Sequence, residues 1–302
     1  MGVTYQDVIA YTRAKYGGTS FKRTMTLGHQ DLYLHKSELK ALSSHHFAVT
    51  GGAPDCLANY RWGDYADNYL RECLGVTDLT VIDASEYEGA DTIHDMNQPI
   101  PDTLRDQFDV VIDCGSLEHI FNVPVALKNL AAMVKVGGTI FITTPANNLM
   151  GHGFYQFSPE LMFRVFSEEN GFELRRVALV EAAFPSVELT RNNKVYRVTD
   201  PQDVHKRVGL QSKRPTMMMV EALKVNDVEM FATPPFQSDY VSAWTATEPV
   251  KSRSPMRQLA KGALDALPRG VRGQLVGLKQ KRTFSLKNDR YFRREPQDRE
   301  IL

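Results

Sequence analysis

The fold is decided by the stretch Phe108-Asp-Val-Val-Ile-Asp113, which continues as Cys-Gly-Ser-Leu-Glu-His119-Ile120. Its first six residues are mostly apolar and β-branched, which predicts a strand buried on both faces. Residues 123–134 carry apolar side chains at helical spacing and predict a helix, which Gly137-Gly138 ends. Residues 139–143 then predict a second strand. A strand, a helix and a strand in this order indicate a parallel sheet.

The same alternation extends in both directions along the chain. Further strands are predicted at residues 23–27, 79–83, 90–94, 172–181 and 216–225. Further helices are predicted at residues 3–16, 35–44, 65–74 and 159–170, with a loop or lid at 45–63 between them. The fold class expected from this order is α/β, a Rossmann-like, doubly wound, mostly parallel seven-stranded sheet with helices on both faces.

Composition is that of an ordinary globular protein. The chain has 302 residues, of which 42% are hydrophobic and 24% charged, with a formal net charge of zero. Three cysteines without a CxxC pair predict reduced thiols rather than a disulfide framework or a zinc site. The pair His45-His46 has no partner at metal spacing, so no metal site is predicted. The start of the chain lacks an apolar signal segment, and a cytoplasmic protein is expected.

The segment around residue 113 resembles the class I S-adenosylmethionine-dependent methyltransferases. The resemblance rests on Phe108–Ile120, on Ala126-Leu-Lys-Asn-Leu130 and on Lys135-Val-Gly-Gly-Thr-Ile-Phe-Ile142. These look like the family's fourth strand, its Leu-Glu-His turn, the next helix and the entry to the fifth strand. The resemblance extends over about residues 20–226. It implies a methyl transfer that uses S-adenosylmethionine as cofactor.

Three acidic residues follow successive predicted strands. In an open α/β sheet, ligands bind outside the carboxyl ends of the strands near the point where strand order reverses. A carboxylate at Asp83 can accept hydrogen bonds from two vicinal ribose hydroxyls. The resemblance implies that the adenine and the methionine moiety lie near Asp95, Met96, Asp113, Cys114 and Gly115. The alternative is that these acids only cap turns and helix starts.

The loop after the first strand departs from the family pattern. Relatives carry a GxGxG-type loop there, whereas this chain has Gly28 alone, followed by Gln30. One interpretation is that Gly28 still allows the cofactor to approach and that the Gln30 amide replaces backbone contacts. The second is that the chain is a non-catalytic binding or scaffold protein. A third is a different nucleotide ligand, although the absence of GxGxxG disfavours a nicotinamide.

The segment after residue 143 supplies the candidate acceptor site. His152 and His119 are candidate bases that could remove a hydroxyl proton during methyl transfer. Tyr155 and Phe157 could stack on a sugar ring. Sugar-modifying methyltransferases of bacterial polysaccharide pathways have similar segments, and the resemblance implies a sugar or glycan-precursor hydroxyl as acceptor. The alternative is a rigid turn before a helix that begins at Ser158-Pro159.

An insert at residues 183–214 separates the last two predicted strands. It is rich in lysine and arginine, which suits a phosphate-bearing acceptor and makes Arg191 a candidate substrate contact. The alternative is a solvated basic loop.

The sequence divides the chain into a catalytic domain, residues 1–228, and a basic extension, residues 229–302. Residues 251–294 hold 13 lysines and arginines but only Asp265 and Asp289, a net charge of +11. A predicted amphipathic helix has its apolar stripe at positions 256, 259, 260, 263, 264 and 267. Such a helix suits an anionic membrane surface or a second subunit, whereas nucleic acid is disfavoured. Packing on the acidic body of the same chain is the alternative, and the inner face of the membrane is an alternative location.

Overall fold

The structure is a computed structural model that describes residues 2–42, 57, 59–183, 188–245, 259 and 262–296. Within these ranges no helix is long and apolar enough to cross a bilayer. Residues 45–56 and 58 of the predicted lid, and positions 256 and 260 of the predicted amphipathic stripe, lie outside the described residues.

Eleven strands are seen in the described part of the chain. A two-stranded parallel sheet pairs β1 (Gly2–Thr4) with β3 (Asp31–Tyr33). The large sheet has the order β11-β9-β8-β10-β7-β6-β2-β4-β5. Its members are β2 (Arg23–Leu27), β4 (Asp78–Asp83), β5 (Thr92–Ile93), β6 (Phe108–Cys114), β7 (Val134–Asn147), β8 (Phe172–Glu181), β9 (Val195–Val198), β10 (Thr216–Lys224) and β11 (Phe292–Arg294).

Helices lie between the strands and after them. They are α1 (Tyr5–Tyr16), α2 (residues 36–42), α3 (residues 67–74), α4 (Val123–Met133), α5 (Pro159–Val165), α6 (Pro201–Val204), α7 (Ser238–Thr245) and α8 (Arg269–Thr283). Helix α3 contains a wider turn over Tyr69–Cys73. Ser158 caps α5 by accepting a hydrogen bond from the backbone of Leu161, and Pro159 occupies its first turn, as the sequence predicts.

The order of the parallel strands reverses between β2 and β6. From β2 the chain moves outward through β4 to β5, then returns to β6 on the other side of β2 and continues to β7, and all four pairings are parallel. The carboxyl ends of β2 and β6 therefore form the crevice in which such sheets bind ligands. Strands β10, β8, β9 and β11 complete the sheet in antiparallel pairings.

Helices cover both faces of the sheet. Val8, Ile9 and Tyr11 of α1 pack with alternate residues of β6, whereas Leu127 and Leu130 of α4 pack in the cluster on the other face. Residues of a strand point to opposite faces in turn, so a continuous apolar strand such as β6 requires this double cover. The predicted Rossmann-like, doubly wound class is confirmed.

The structure differs from the expected strand count. The large sheet has nine strands rather than seven, because β9 forms within the insert and β11 within the tail. Both are only three or four residues long, too short for a periodic pattern to show them. The small β1–β3 sheet was not predicted either. The thiol prediction is wrong for Cys73, which is disulfide-bonded, whereas Cys114 is a free and buried thiol.

The proposed division at residue 228 needs correction. Met230, Tyr291 and Phe292 are buried in the same core as the sheet. Strand β11 pairs with β9, and Glu295 accepts two hydrogen bonds from Arg176 of β8 at 3.0 and 2.7 Å. The tail thus returns to the body after α8, a basic helix that has no buried residue. The physical reason is the aromatic content of residues 284–292, which the sequence interpretation assigned to a separate surface.

Candidate active site

Gly28 lies at the end of β2, in the crevice where strand order reverses. Its φ of +73° is in the region that favours glycine. A Cβ at this position would lie 3.1 Å from Ser116 Oγ and 3.6 Å from both Asp83 Oδ2 and Gln30 Nε2. Side chains from three loops thus converge on one glycine, and any larger residue at this position would press against Ser116 Oγ.

Asp83 and Asp95, the two acidic residues predicted to contact the cofactor at the ends of β4 and β5, differ in their exposure and in their hydrogen bonds. Asp83 is half-buried; its Oδ1 accepts a hydrogen bond from the Ser85 backbone at 3.2 Å, and its Oδ2 faces Gly28. Asp95 is exposed, and its Oδ1 accepts from both the backbone and the side chain of Asn97, which holds the pKa of Asp95 below its usual value. Met96 is buried beneath Asp95. Asp83 therefore offers the freer oxygen to a ribose.

Gln30 is buried and does not reach into open space. Its Nε2 donates to the Leu27 carbonyl at 2.5 Å, and its Oε1 is buried without a hydrogen-bond partner in the structure. The amide therefore braces the turn after β2, and only its oxygen remains available to a donor.

Residues at the end of β6 support the crevice from within the fold. The Asp113 side chain is fully buried and accepts hydrogen bonds from the backbones of Ser116 and Leu117. Cys114 points to the opposite face, where its sulfur lies 3.0 Å from the Tyr11 hydroxyl. Gly115 has a φ of +99°. Asp113 consequently shapes the loop from within the fold and Cys114 faces away from the crevice, whereas the Gly115 backbone lies in the loop itself.

Glu118 was not singled out in the sequence, although it lies between Leu117 and His119 in the Leu-Glu-His turn. It is fully buried, its Oε2 accepts a hydrogen bond from Thr144 Oγ1 at 3.0 Å, and its Oε1 has no hydrogen-bond partner. Burial raises the pKa of Glu118, and the nearby Asp113 carboxyl raises it further. No described lysine or arginine forms an ion pair with Glu118 or with Asp113.

The loop after β7 places His152 against Glu118. The backbone N–H groups of Phe154 and Tyr155 donate to the Glu118 carbonyl at 2.8 and 3.3 Å, and a Cβ at Gly153 would come within 2.8 Å of that carbonyl oxygen. This close approach requires glycine at position 153, where φ is +77°. As a result His152 Nε2 lies 3.6 Å from Glu118 Oε1.

His119 completes a group of three candidate ligands or bases. Its ring centroid lies 5.3 Å from that of His152 in an edge-on arrangement. One nitrogen of each histidine and one oxygen of Glu118 all lie within 4.8 Å of one another. Burial lowers the pKa of both histidines, so each is a neutral imidazole with an available lone pair near pH 7.

The two predicted sugar-stacking residues have other contacts. Phe157 is buried in the core and stacks on Tyr155 with ring centroids 5.7 Å apart. The Tyr155 hydroxyl donates to the Phe121 carbonyl at 2.8 Å. Phe157 thus has no face for a ligand, whereas Phe121 and Phe154 are exposed beside it.

A cavity of about 250 Å³ lies across the same sheet edge from the histidines. It is lined by Thr4, Tyr33, Cys114, Thr143, Leu189 and others. Thr143 and Thr144 are successive residues of β7, so the cavity and Glu118 lie on opposite faces of the edge. The insert reaches the cavity through Leu189, but Arg191 is tied by its backbone N–H to Glu38 Oε1 at 2.7 Å and does not line it.

Comparison with known proteins finds a family likeness over the middle of the chain. Residues 63–170 match the family model described as a methyltransferase domain. The match contains β4, β6, α4 and β7, together with Glu118, His119 and His152. The resemblance to class I methyltransferases is thereby confirmed for this part of the chain. No curated protein matches the sequence.

Solved structures with related folds are distant. A SAM-dependent methyltransferase from Thermotoga maritima is 13% identical, with a TM-score of 0.37 over 73% of this chain and 90% of that one. A 16S rRNA (adenine(1408)-N(1))-methyltransferase from Catenulisporales acidiphilia is 11% identical, with a TM-score of 0.32 over 76% and 95%. Likeness at this level carries no argument about the acceptor.

Proposed function

We propose that this chain, as a member of the class I methyltransferases, transfers a methyl group from S-adenosylmethionine to a hydroxyl oxygen of a sugar or glycan precursor. The observation that carries the proposal is one juxtaposition. Gly28, Asp83 and Ser116 converge at the crevice where strand order reverses, and the turn that begins at Ser116 also carries Glu118 and His119.

The residues present fit the cofactor. The missing side chain of Gly28 lets Ser116 and Asp83 approach its backbone, and Asp83 Oδ2 is an acceptor for ribose hydroxyls. Buried Gln30 Oε1 is an acceptor without a donor in the structure, and the Nε2 of the same amide lies beside Gly28. Met96, which is buried after β5, offers an apolar side chain against which the adenine could pack. S-Adenosylmethionine supplies an electrophilic methyl group when bound.

The acceptor hydroxyl must lose a proton as its oxygen takes the methyl group. His119 and His152 are neutral imidazoles beside the crevice and can assist that loss. The enzyme otherwise acts by holding the two reactants in line. The proposal of a sugar acceptor rests on the resemblance of the loop after β7 to sugar-modifying methyltransferases and on the basic insert, which suits a phosphate-bearing substrate.

The proposal is tested first by calorimetry with S-adenosylhomocysteine. Binding with a 1:1 ratio supports the methyltransferase, whereas no heat at millimolar ligand favours the alternative of a non-catalytic scaffold. The acceptor is tested with S-adenosylmethionine labelled in its methyl group. We expect label in nucleotide sugars and none in histamine or ribosomal RNA; label in either of those instead contradicts the sugar proposal.

A further inference from the structure

Two buried polar atoms face each other in the candidate site without a hydrogen bond between them. Glu118 Oε1 and His152 Nε2 are both buried and both lack a hydrogen-bond partner. They are 3.6 Å apart, which is too far for a hydrogen bond. Buried polar atoms are almost always satisfied in folded proteins, so a pair of orphans pointing at one another indicates a third group between them.

The distances suit a metal ion. A transition ion lies about 2.0–2.2 Å from nitrogen and oxygen ligands, which places its ligands roughly 3–4 Å apart. The Glu118–His152 distance of 3.6 Å falls in that range, and all three donor atoms lie within 4.8 Å. His119 is exposed, so a small rotation of its side chain can close the remaining gap.

We propose that Glu118, His119 and His152 bind a divalent first-row transition ion. Two imidazoles and one carboxylate are a donor set typical of catalytic zinc and of non-haem iron, and imidazole disfavours magnesium and calcium. Three protein ligands leave coordination positions open. This proposal replaces the sequence expectation that the chain has no metal site.

No lysine or arginine among the described residues pairs with the two acidic residues at this site. Glu118 lies beside the buried Asp113, and Thr144 Oγ1 and backbone groups are their hydrogen-bond donors. Thr144 also holds Glu118 Oε2, which leaves Oε1 directed at His152. The clamp of Phe154 N–H on the Glu118 carbonyl fixes the two loops relative to each other before any ion arrives.

The role of the ion rests on the proposed methyl transfer. An acceptor hydroxyl bound at an open position loses its proton to solvent more readily, because a divalent ion lowers the pKa of a bound oxygen. The oxygen then attacks the methyl carbon, the carbon–sulfur bond breaks and its electron pair stays on sulfur, which leaves S-adenosylhomocysteine. In this refinement of the proposed function the two histidines bind the ion, and the ion takes over the part that free imidazole bases would otherwise play.

The site is tested on the full chain after treatment with a chelator. Calorimetry with Zn²⁺ and with Co²⁺ is expected to show one site per chain, with Mn²⁺ weaker and Mg²⁺ much weaker. Glu118→Gln, His119→Ala and His152→Ala should each weaken binding by at least about tenfold, since even residues that only support ligands cost 10–100-fold. His205→Asn is the matched control, because His205 is exposed, lies outside the group and has a φ of +50° that asparagine tolerates.

A second measurement separates loss of ligands from loss of folding. Zn²⁺ should raise the melting temperature of the wild type and of His205→Asn, but not of the three variants. One-site binding that all three variants retain, or its absence in the wild type, overturns the site. S-Adenosylhomocysteine binding without metal binding removes the metal site and keeps the proposed function. Metal binding without S-adenosylhomocysteine binding keeps the site and removes the proposed function.

Discussion

The parallel and antiparallel halves of the large sheet use polar groups in opposite ways. Strands β5, β4, β2, β6 and β7 end in loops where Asp83, Glu118 and His152 keep oxygen or nitrogen atoms without partners. Strands β10, β8, β9 and β11 carry polar groups that are matched to one another, as in the two hydrogen bonds between Arg176 and Glu295. Unsatisfied groups cost stability, so they are expected where a ligand supplies the missing partner.

This difference predicts that the two halves of the sheet contribute to different properties of the protein. Substitutions in the parallel half should change binding or turnover while the fold stays intact. Substitutions in the antiparallel half should change stability while the folded fraction keeps its activity. Each of the following predictions tests whether binding and turnover depend on the parallel half and stability on the antiparallel half.

The largest expected effect is on turnover at His152. His152→Ala should lower the methyl-transfer rate by about 10²–10⁴, whether the imidazole acts as a base or as a metal ligand. S-Adenosylhomocysteine affinity should stay within about twofold, because His152 contacts Glu118 and not Asp83. Initial rates and calorimetry measure the two quantities. An unchanged rate would remove this histidine from the chemistry.

The next effect is on stability at Phe292, in the half that the sequence assigned to an extension. Phe292→Ala should cost about 3–5 kcal/mol, as for other fully buried phenylalanines, since only 1% of Phe292 is exposed. Urea unfolding measures this cost. Phe236→Ala is the control, because Phe236 is 53% exposed. Equal urea midpoints for Phe292→Ala and Phe236→Ala would indicate that the tail does not contribute to the stability of the core.

Asp83 should give a smaller effect, confined to cofactor affinity. Asp83→Ala should weaken S-adenosylhomocysteine binding by about 1.5–3 kcal/mol, typical of hydrogen bonds to a charged group. Asp95→Ala should weaken it less, because the Oδ1 of Asp95 is already held by Asn97. Calorimetry on both variants checks the order. A larger loss at Asp95 would mean that the free oxygen of Asp83 is not the ribose contact.

The smallest expected effect is the dependence of stability on acid at Glu295. Burial by itself raises the pKa of this carboxyl, but the hydrogen bonds and charge of Arg176 outweigh it and hold the pKa below 4.5. A group with a lowered folded pKa adds stability above its unfolded pKa and loses it as pH falls through the folded value. Glu295→Gln should therefore flatten the decline in stability below about pH 4.5. Glu173→Gln, at an exposed pair, should not.

The strands of the parallel half and the long antiparallel strands β8 and β10 could be predicted from the sequence. Residues 23–27 match β2 to the residue, and in the antiparallel half residues 172–181 match β8 equally well, with Gly171 before it in the left-handed conformation as expected. Periodicity and glycine positions carry that information locally. Strands β9 and β11 were missed because each is stabilised by its partner and not by its own pattern. Pairing between positions so far apart leaves no local signal.

The candidate site was predicted in outline only. The ends of β4 and β6 were located correctly, since strand ends follow from the strand pattern. The directions of the side chains were not predicted correctly. Phe157 is in the core, and Cys114 faces away from Asp113. Whether a residue at a strand end is turned toward a ligand or toward a helix depends on the neighbouring loop. Glu118 was not predicted as a site residue, because the sequence of a turn does not show which of its side chains is buried.

The return of the tail also decides how the sheet ends. Without β11, the outermost strand would be β9, whose unpaired backbone groups could pair with a strand of another molecule. In the protein the last strand is instead three residues long, and two of them are the exposed arginines Arg293 and Arg294. A short, positively charged border repels a second copy of itself. The same residues that stabilise the fold therefore protect it against edge-to-edge aggregation, and a shortened chain should be lost to precipitation as much as to unfolding.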